Sequence, residues 1–254
     1  MSSWRWFMSE SAESLVIVDD GGAICERYRN EYGQRCRTLK FETRLNLAKT
    51  SGGEVLLALC FDPASTIIVA IISNPNANLV HARLIAAHHQ TSAGLMALAK
   101  RPAFMADSIV QRGLLQNPLS SSATLSRFLA SYNLFKLANT VNGHESTEKG
   151  RAQARQVLRD KMCLGTPEDV AHFIMQTEGR NLKVLGAETL SQETLDILCR
   201  ERYTSEMLVT NLIAWPALPP RLIEHLLRQP IVRQNRQLRS KLLGHRHCPT
   251  ALRR

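Results

Sequence analysis

Two stretches of this chain repeat one order of landmarks. Thr50 to Pro75 reads TSGGEVLLALCFDPASTIIVAIISNP, and Thr91 to Pro118 reads TSAGLMALAKRPAFMADSIVQRGLLQNP. Each opens on Thr-Ser, runs through a short apolar segment to a proline, continues through a longer apolar segment, and closes on Asn-Pro. The first half returns at Thr204 to Pro216 as TSEMLVTNLIAWP, so that Thr-Ser stands 11 to 13 residues before a proline three times. Self-similarity at a period of about 40 residues is the mark of stacked helical repeats, because each unit buries its apolar face only against its neighbours.

The landmarks have physical reasons. A threonine hydroxyl accepts an orphan backbone N–H at a helix start, and proline fits the first turn, where its missing N–H costs nothing. Asn74-Pro75 and Asn117-Pro118 are therefore expected to start helices, with the residue before each proline pushed out of helical conformation so that the preceding helix ends there. The apolar positions Leu79, Leu84 and Ile85, and Ile109, Leu114 and Leu115, fall at helical spacing. Short helices joined by tight turns follow.

Composition agrees. Aromatic residues make up only 6% while Leu and Ala abound, a balance that favours helices over strands, and 44% hydrophobic residues suffice for a core. The longest apolar run, Ile67 to Ile72, is far short of the roughly 20 residues a membrane helix needs. The N-terminus shows no basic region followed by a long apolar stretch, so the cytosol is the expected compartment. Six cysteines without close paired spacing read as reduced packing residues.

Three segments are expected. Residues 1–36 form an N-terminal cap or arm in which Trp4, Trp6 and Phe7 either anchor a partner or cover the first repeat. Within it, SLVIVDDGGAICERY carries a hairpin signal around Asp19-Asp20-Gly21-Gly22, leaving room for a small β-hairpin cap. Residues 37–140 form a first helical array, opened by an amphipathic helix with Leu39, Phe41, Leu45 and Ala48 on one face. The polar stretch TVNGHESTEKG, residues 140–150, is the boundary, and residues 141–254 form a second array with a basic C-terminal cap. Its first helix places Ala154, Val157, Leu158 and Met162 on one face and ends at Gly165. Thr166-Pro167-Glu168-Asp169 then gives a cap, a first-turn proline and two acids at the positive end of the next helix.

Chemical signatures are sparse. His81 and His88 lie seven residues apart without a cysteine or carboxylate at ligand spacing. His245, His247 and Cys248 resemble a soft ligand set, but GHRHCPTAL aligns with AWPALPPRL one unit earlier, which has no ligand at matching positions, so a turn is expected there. The chain lacks a nucleophile elbow, a P-loop and a dinucleotide fingerprint. No catalytic, cofactor-binding or metal-binding residue is therefore assigned.

Charge is more informative. Of a formal +10, the last 39 residues hold nine Lys and Arg against the single acid Glu224. Arg221, Arg228, Arg233, Arg236, Arg239, Lys241 and Arg246, with Lys100 and Arg101 upstream, are the candidate contacts to phosphates or an acidic partner. The same arginines would also serve as the polar outer face that the end of a repeat array requires.

The units NPNANLVHARLIA, QNPLSSSATLSRFLA and WPALPPRLIEHLL resemble those of bacterial α-solenoids of the HEAT-like and leucine-rich-repeat-variant kind, over roughly residues 50 to 250. The resemblance implies an all-α, right-handed superhelix of short helix pairs. It implies a non-enzymatic scaffold or adaptor that binds a protein partner on a concave face, with a nucleic-acid-binding solenoid as the alternative and a DNA-repair glycosylase-like enzyme as a lesser one. The cysteine cluster that accompanies an iron–sulfur site in some variant-repeat proteins is missing, since only Cys25 and Cys36 stand near the N-terminus.

Overall fold

The computed structural model describes residues 21–144 and 146–253, and Trp4, Trp6, Phe7 and the first arm of the expected hairpin lie outside them. Among the described residues the chain is all-α, with seventeen α-helices and no strand. It divides into two compact units, Met1–Leu119 and Ser120–Arg254, so that the polar 140–150 stretch falls inside the second.

The hairpin expectation fails on its second arm. Gly21–Glu31 is a helix, α1, continued by a π turn over Tyr32–Cys36. Cys25, Tyr28, Tyr32 and Cys36 are buried. Their spacing of three and four residues makes one helical stripe, whereas a strand would turn Cys25 and Tyr28 to opposite faces. This stripe outweighs the turn preference of the Asp-Asp-Gly-Gly sequence.

The first unit continues with α2 (Phe41–Thr50), α3 (Gly53–Leu59), α4 (Ser65–Ser73), α5 (Leu79–His88), α6 (Ser92–Ala99), α7 (Pro102–Met105) and α8 (Ser108–Gln116). Within it α4 packs between α2 and α6, while α5 packs on both α3 and α8. The core is aliphatic: in α4 the side chains of Ile67, Ile68, Ile71 and Ile72 are all buried. A two-pronged ion pair between Arg83 and Asp107, with Nη2 2.7 Å from Oδ2, ties α5 to the cap of α8.

The second unit comprises α9 (Ser122–Leu129), α10 (Leu134–Asn142), α11 (Glu148–Leu164), α12 (Pro167–Gln176), α13 (Gln192–Leu198), α14 (Glu206–Ile213), α15 (Pro220–Arg228), α16 (Pro230–Gln234) and α17 (Arg236–Leu243). Here α11 packs on both α9 and α10, α12 on α13, and α17 on α14 and α15. The largest fully buried side chains of this unit are Trp215, Tyr203 and Phe173.

The repeated landmarks keep their places but change roles. Thr91 caps α6, accepting from Gly94 N at 3.3 Å, and Ser205 caps α14. Thr50, by contrast, ends α2. Asn74 and Asn117 start no helix: they end α4 and α8, and the following helices are capped by Asn78 and Ser121. Both are 5% exposed and act as clamps. Asn74 Nδ2 donates to Ala48 O and Ser51 O, each at 2.9 Å, and its Oδ1 accepts from Asn76 N. Asn117 Nδ2 donates to Ala86 O and His89 O, each at 3.1 Å, and its Oδ1 accepts from Leu119 N. Each carboxamide thus satisfies carbonyls at the C-terminal end of a packed neighbour, α2 or α5, which the helix itself leaves without partners. Gln229, before Pro230, is also buried but works the other way, its Oε1 accepting from Tyr203 N at 3.2 Å.

Gly94 in the first turn of α6 is a close-approach position. A Cβ there would stand 2.1 Å from His89 Nε2, and the ring is 2% exposed and held at 2.6 Å from Thr91 Oγ1. A helical Gly→Ala change ordinarily gains up to about 1 kcal/mol. Here Gly94→Ala is expected to cost about 1–3 kcal/mol by overpacking. Thermal unfolding checks the sign, and a gain in stability would mean that His89 has room to swing aside.

Candidate functional site

A groove of the second unit is built where three helix ends meet. Asn133 caps α10 through its side chain and so presents Leu134 and Phe135 on the first turn. The C-terminal end of α11 carries Leu164, seven residues beyond Val157 on the same stripe, and α12 starts at Pro167. The groove between them has a volume of about 950 Å³. Leu164 is 87% exposed and Phe135 39%. Phe135 stands edge-on to Phe173 at 5.2 Å and to His172 at 6.2 Å, which fixes the ring at the mouth of the groove.

Charges around the groove are unequal in freedom. The Lys161 ammonium donates to Tyr132 O at 2.8 Å and is thereby turned into the wall. Burial pushes the Tyr132 phenol up to about 12, so it stays neutral. Asp160 and Asp169 are exposed on the rim, accepting from the neutral groups Gln156 Nε2 at 2.9 Å and Thr166 Oγ1 at 2.5 Å. Thr166 thus spends its hydroxyl on Asp169 and makes no side-chain cap of α12. Ser131 Oγ donates to Phe128 O at 2.6 Å, so it is not poised by a base. The arrangement can bury apolar side chains and accept a cation, which is recognition chemistry.

The basic candidates separate into engaged and free groups. Arg221 pairs with Asp196, Arg246 Nε donates to Pro216 O at 2.9 Å, and Arg101 Nη2 donates to Ser73 Oγ at 2.8 Å. Arg228, Arg233, Arg236, Arg239, Lys241 and Lys100 are exposed and have no ion-pair partner among the described residues. On α17 the buried Leu238 and Leu242 define the inner face. At 100° per residue Arg236 and Arg239 stand about 60° apart, while Lys241 falls on the other flank.

His245, His247 and Cys248 lie in a turn that stacks on the turn one unit earlier. His245 Nε2 is 3.3 Å from Trp215 O and His247 Nδ1 is 3.1 Å from Leu218 O. The backbone bond Cys248 N to His245 O repeats Leu218 N to Trp215 O. The described residues hold no group of three His, Cys, Asp or Glu side chains arranged for a metal.

Two clusters escaped the sequence because their members are far apart in it. Cys25 Sγ lies 3.1 Å from His88 Nε2, and His88 stacks on Phe61 at 5.7 Å. Burial pushes the thiol up and the imidazole down, so the pair is neutral and the sulfur is not activated. Asp62 is fully buried, accepts from Ala64 N at 2.9 Å and forms an ion pair with Arg44 Nε at 3.0 Å, at an angle that makes no hydrogen bond between them. With no exposed surface, this carboxylate fixes the turn between α3 and α4 against α2.

Comparison with known proteins gives no matching family model, no similar curated protein and no similar solved structure. No helix among the described residues is long and apolar enough to cross a membrane.

Proposed function

We propose that the chain is a non-enzymatic α-solenoid scaffold, its short helix pairs stacked as a right-handed superhelix, which binds a protein partner through the groove of its second unit. Stacking is supported by the two rows of packed helices in the first unit and by the 245–248 turn bonded to carbonyls 29 and 30 residues earlier. One observation carries the binding: Leu164, 87% exposed, stands beside an edge-on Phe135 over a groove of about 950 Å³. Covering Leu164 gains about 1.5–3 kcal/mol, and the partly buried Phe135 gains less. The occupant that fits is a partner segment with aliphatic or aromatic anchors and a basic residue for Asp160 and Asp169.

A second reading has its own observation. Five exposed cations between Arg228 and Lys241 lack acidic partners among the described residues, which suits a phosphate backbone. One experiment separates the two. Binding partners are captured from a cell lysate at low and at about 0.5 M salt, and labelled duplex DNA is titrated in parallel, for the parent, Leu164→Glu and Arg233/Arg236/Arg239→Gln. The scaffold reading expects capture that survives salt and falls at least tenfold with Leu164→Glu alone, a loss of about 1.4 kcal/mol. DNA binding whose salt slope drops by about 0.9 per lost phosphate contact in the arginine variant, with no effect of Leu164→Glu, would replace it by the nucleic-acid reading.

A further inference from the structure

In the first unit α2, α4 and α6 lie side by side with their C-terminal ends at one edge. Asn74, at the end of α4, bonds the carbonyls at the end of α2, and Arg101, just past α6, donates to Ser73 at the end of α4. This brings Lys49, Lys100 and Arg101 to the same edge. Along it run two grooves of about 400 and 570 Å³, one on either side of α4, that share Val69 and Ser73 on the crest between them and together make a double trough. Val69 stands at its centre, 45% exposed, on a helix whose four isoleucines are buried. Leu45 and Met96 flank it on either side. The residues lining both grooves include no carboxylate and no aromatic ring. Lys49 and Lys100 are exposed without an ion pair among the described residues, and Arg101 meets only a neutral hydroxyl.

We infer that this trough docks an acidic amphipathic segment of a protein partner, with its apolar side on Leu45, Val69 and Met96 and its carboxylates on Lys49, Lys100 and Arg101. The chemistry follows from the juxtaposition. An apolar floor needs an apolar cover, and three cations on one edge without a local acid need anions to complete them. Nucleic acid fits less well, because bases bind on aromatic platforms and none lines the trough. The trough belongs to the first unit and has charge opposite to that of the second-unit groove, so the two stand or fall independently.

The test is fluorescence anisotropy on the full chain with three labelled probes. They are an amphipathic peptide of Leu, Ala and Glu, the same peptide with every Glu replaced by Lys, and a DNA duplex. The acidic peptide is expected to bind, weaken with salt, and lose at least tenfold in affinity both in Lys49→Glu/Lys100→Glu and in Val69→Gln. These are exposed positions, and unchanged thermal unfolding of the variants shows that they are folded. Leu164→Glu is expected to bind the acidic peptide as the parent does, whatever becomes of the second-unit groove. No binding of the acidic peptide, equal binding of the Lys peptide, or binding indifferent to Val69→Gln would overturn the inference. Duplex binding that survives Val69→Gln but not the lysine changes would make the edge a phosphate surface instead.

Discussion

Replacing Asn117 by alanine is expected to destabilise the first unit by about 3 kcal/mol. A typical intramolecular hydrogen bond contributes about 1 kcal/mol net, and a buried group left without its partner costs about 1–3 kcal/mol. Asn117 loses two bonds from Nδ2, to Ala86 O and His89 O, and one to Oδ1, from Leu119 N, and it is 5% exposed, so water does not readily take its place. For a chain of this size such a loss lowers the melting temperature by roughly 6–12 °C. Asn117→Asp separates the bonds from the volume. It nearly preserves the shape, but a carboxylate faces two carbonyl oxygens with nothing to donate, so at neutral pH it is expected to cost at least as much as alanine. Urea and thermal unfolding of both variants decide it. If the two units unfold in separate steps, only one step moves. An alanine variant within about 0.5 kcal/mol of the parent would mean that the Asn-Pro carboxamide fills space and clamps nothing.

That carboxamide also marks the limit of what the sequence discloses. The recurrence of Asn-Pro was legible, as was the helical character it punctuates, because proline restricts the residue before it wherever it occurs. Its role was not, since a cap and a clamp use the same side chain and differ only in which carbonyls lie within reach, 26 residues away for Asn74 and 28 for Asn117. The helix at Gly21–Glu31 shows the reverse case. There the local turn signal pointed to a hairpin, and the buried stripe of Cys25, Tyr28, Tyr32 and Cys36, also present in the sequence, decided the outcome through tertiary packing. Of the candidate surfaces, the arginines were legible as charge, but their division into engaged and free depends on Asp196 in α13 and Pro216 in the turn after α14, both 25 to 30 residues earlier. Leu164 extended the stripe of Val157 by seven residues and could have been noticed. Its exposure could not, because that depends on where α10 and α12 begin.

Stability is also expected to fall by about 3 kcal/mol as pH drops from 6.5 to 4, through His81. The side chain is 4% exposed in the first turn of α5. Nδ1 lies 2.7 Å from Asn78 Oδ1 and 3.2 Å from Asn78 N in a capping box, and Nε2 has no hydrogen-bond partner among the described residues. Burial lowers its pKa from 6.5 to about 4. A proton there would also sit at the positive end of a helix dipole. Because the folded pKa is depressed, the unfolded chain binds the proton first. Stability is therefore full above about 6.5, declines through the window, and shows no further loss from this group below about 4. The shift converts at 1.36 kcal/mol per pH unit. Burial lowers His88 and His89 in the same direction, so they steepen the same window. Asp107, held below the usual carboxylate range by the Arg83 guanidinium, is lost only at pH below 3.8 and does not overlap it. The measurement is urea unfolding from pH 8 to 4 for the parent and His81→Gln, which can still accept from Asn78 N but cannot titrate. The variant is expected to remove about 3 kcal/mol of the parent's decline between pH 6.5 and 4. Identical pH profiles for the two proteins would assign the decline elsewhere and leave His81 as a packed, non-titrating cap.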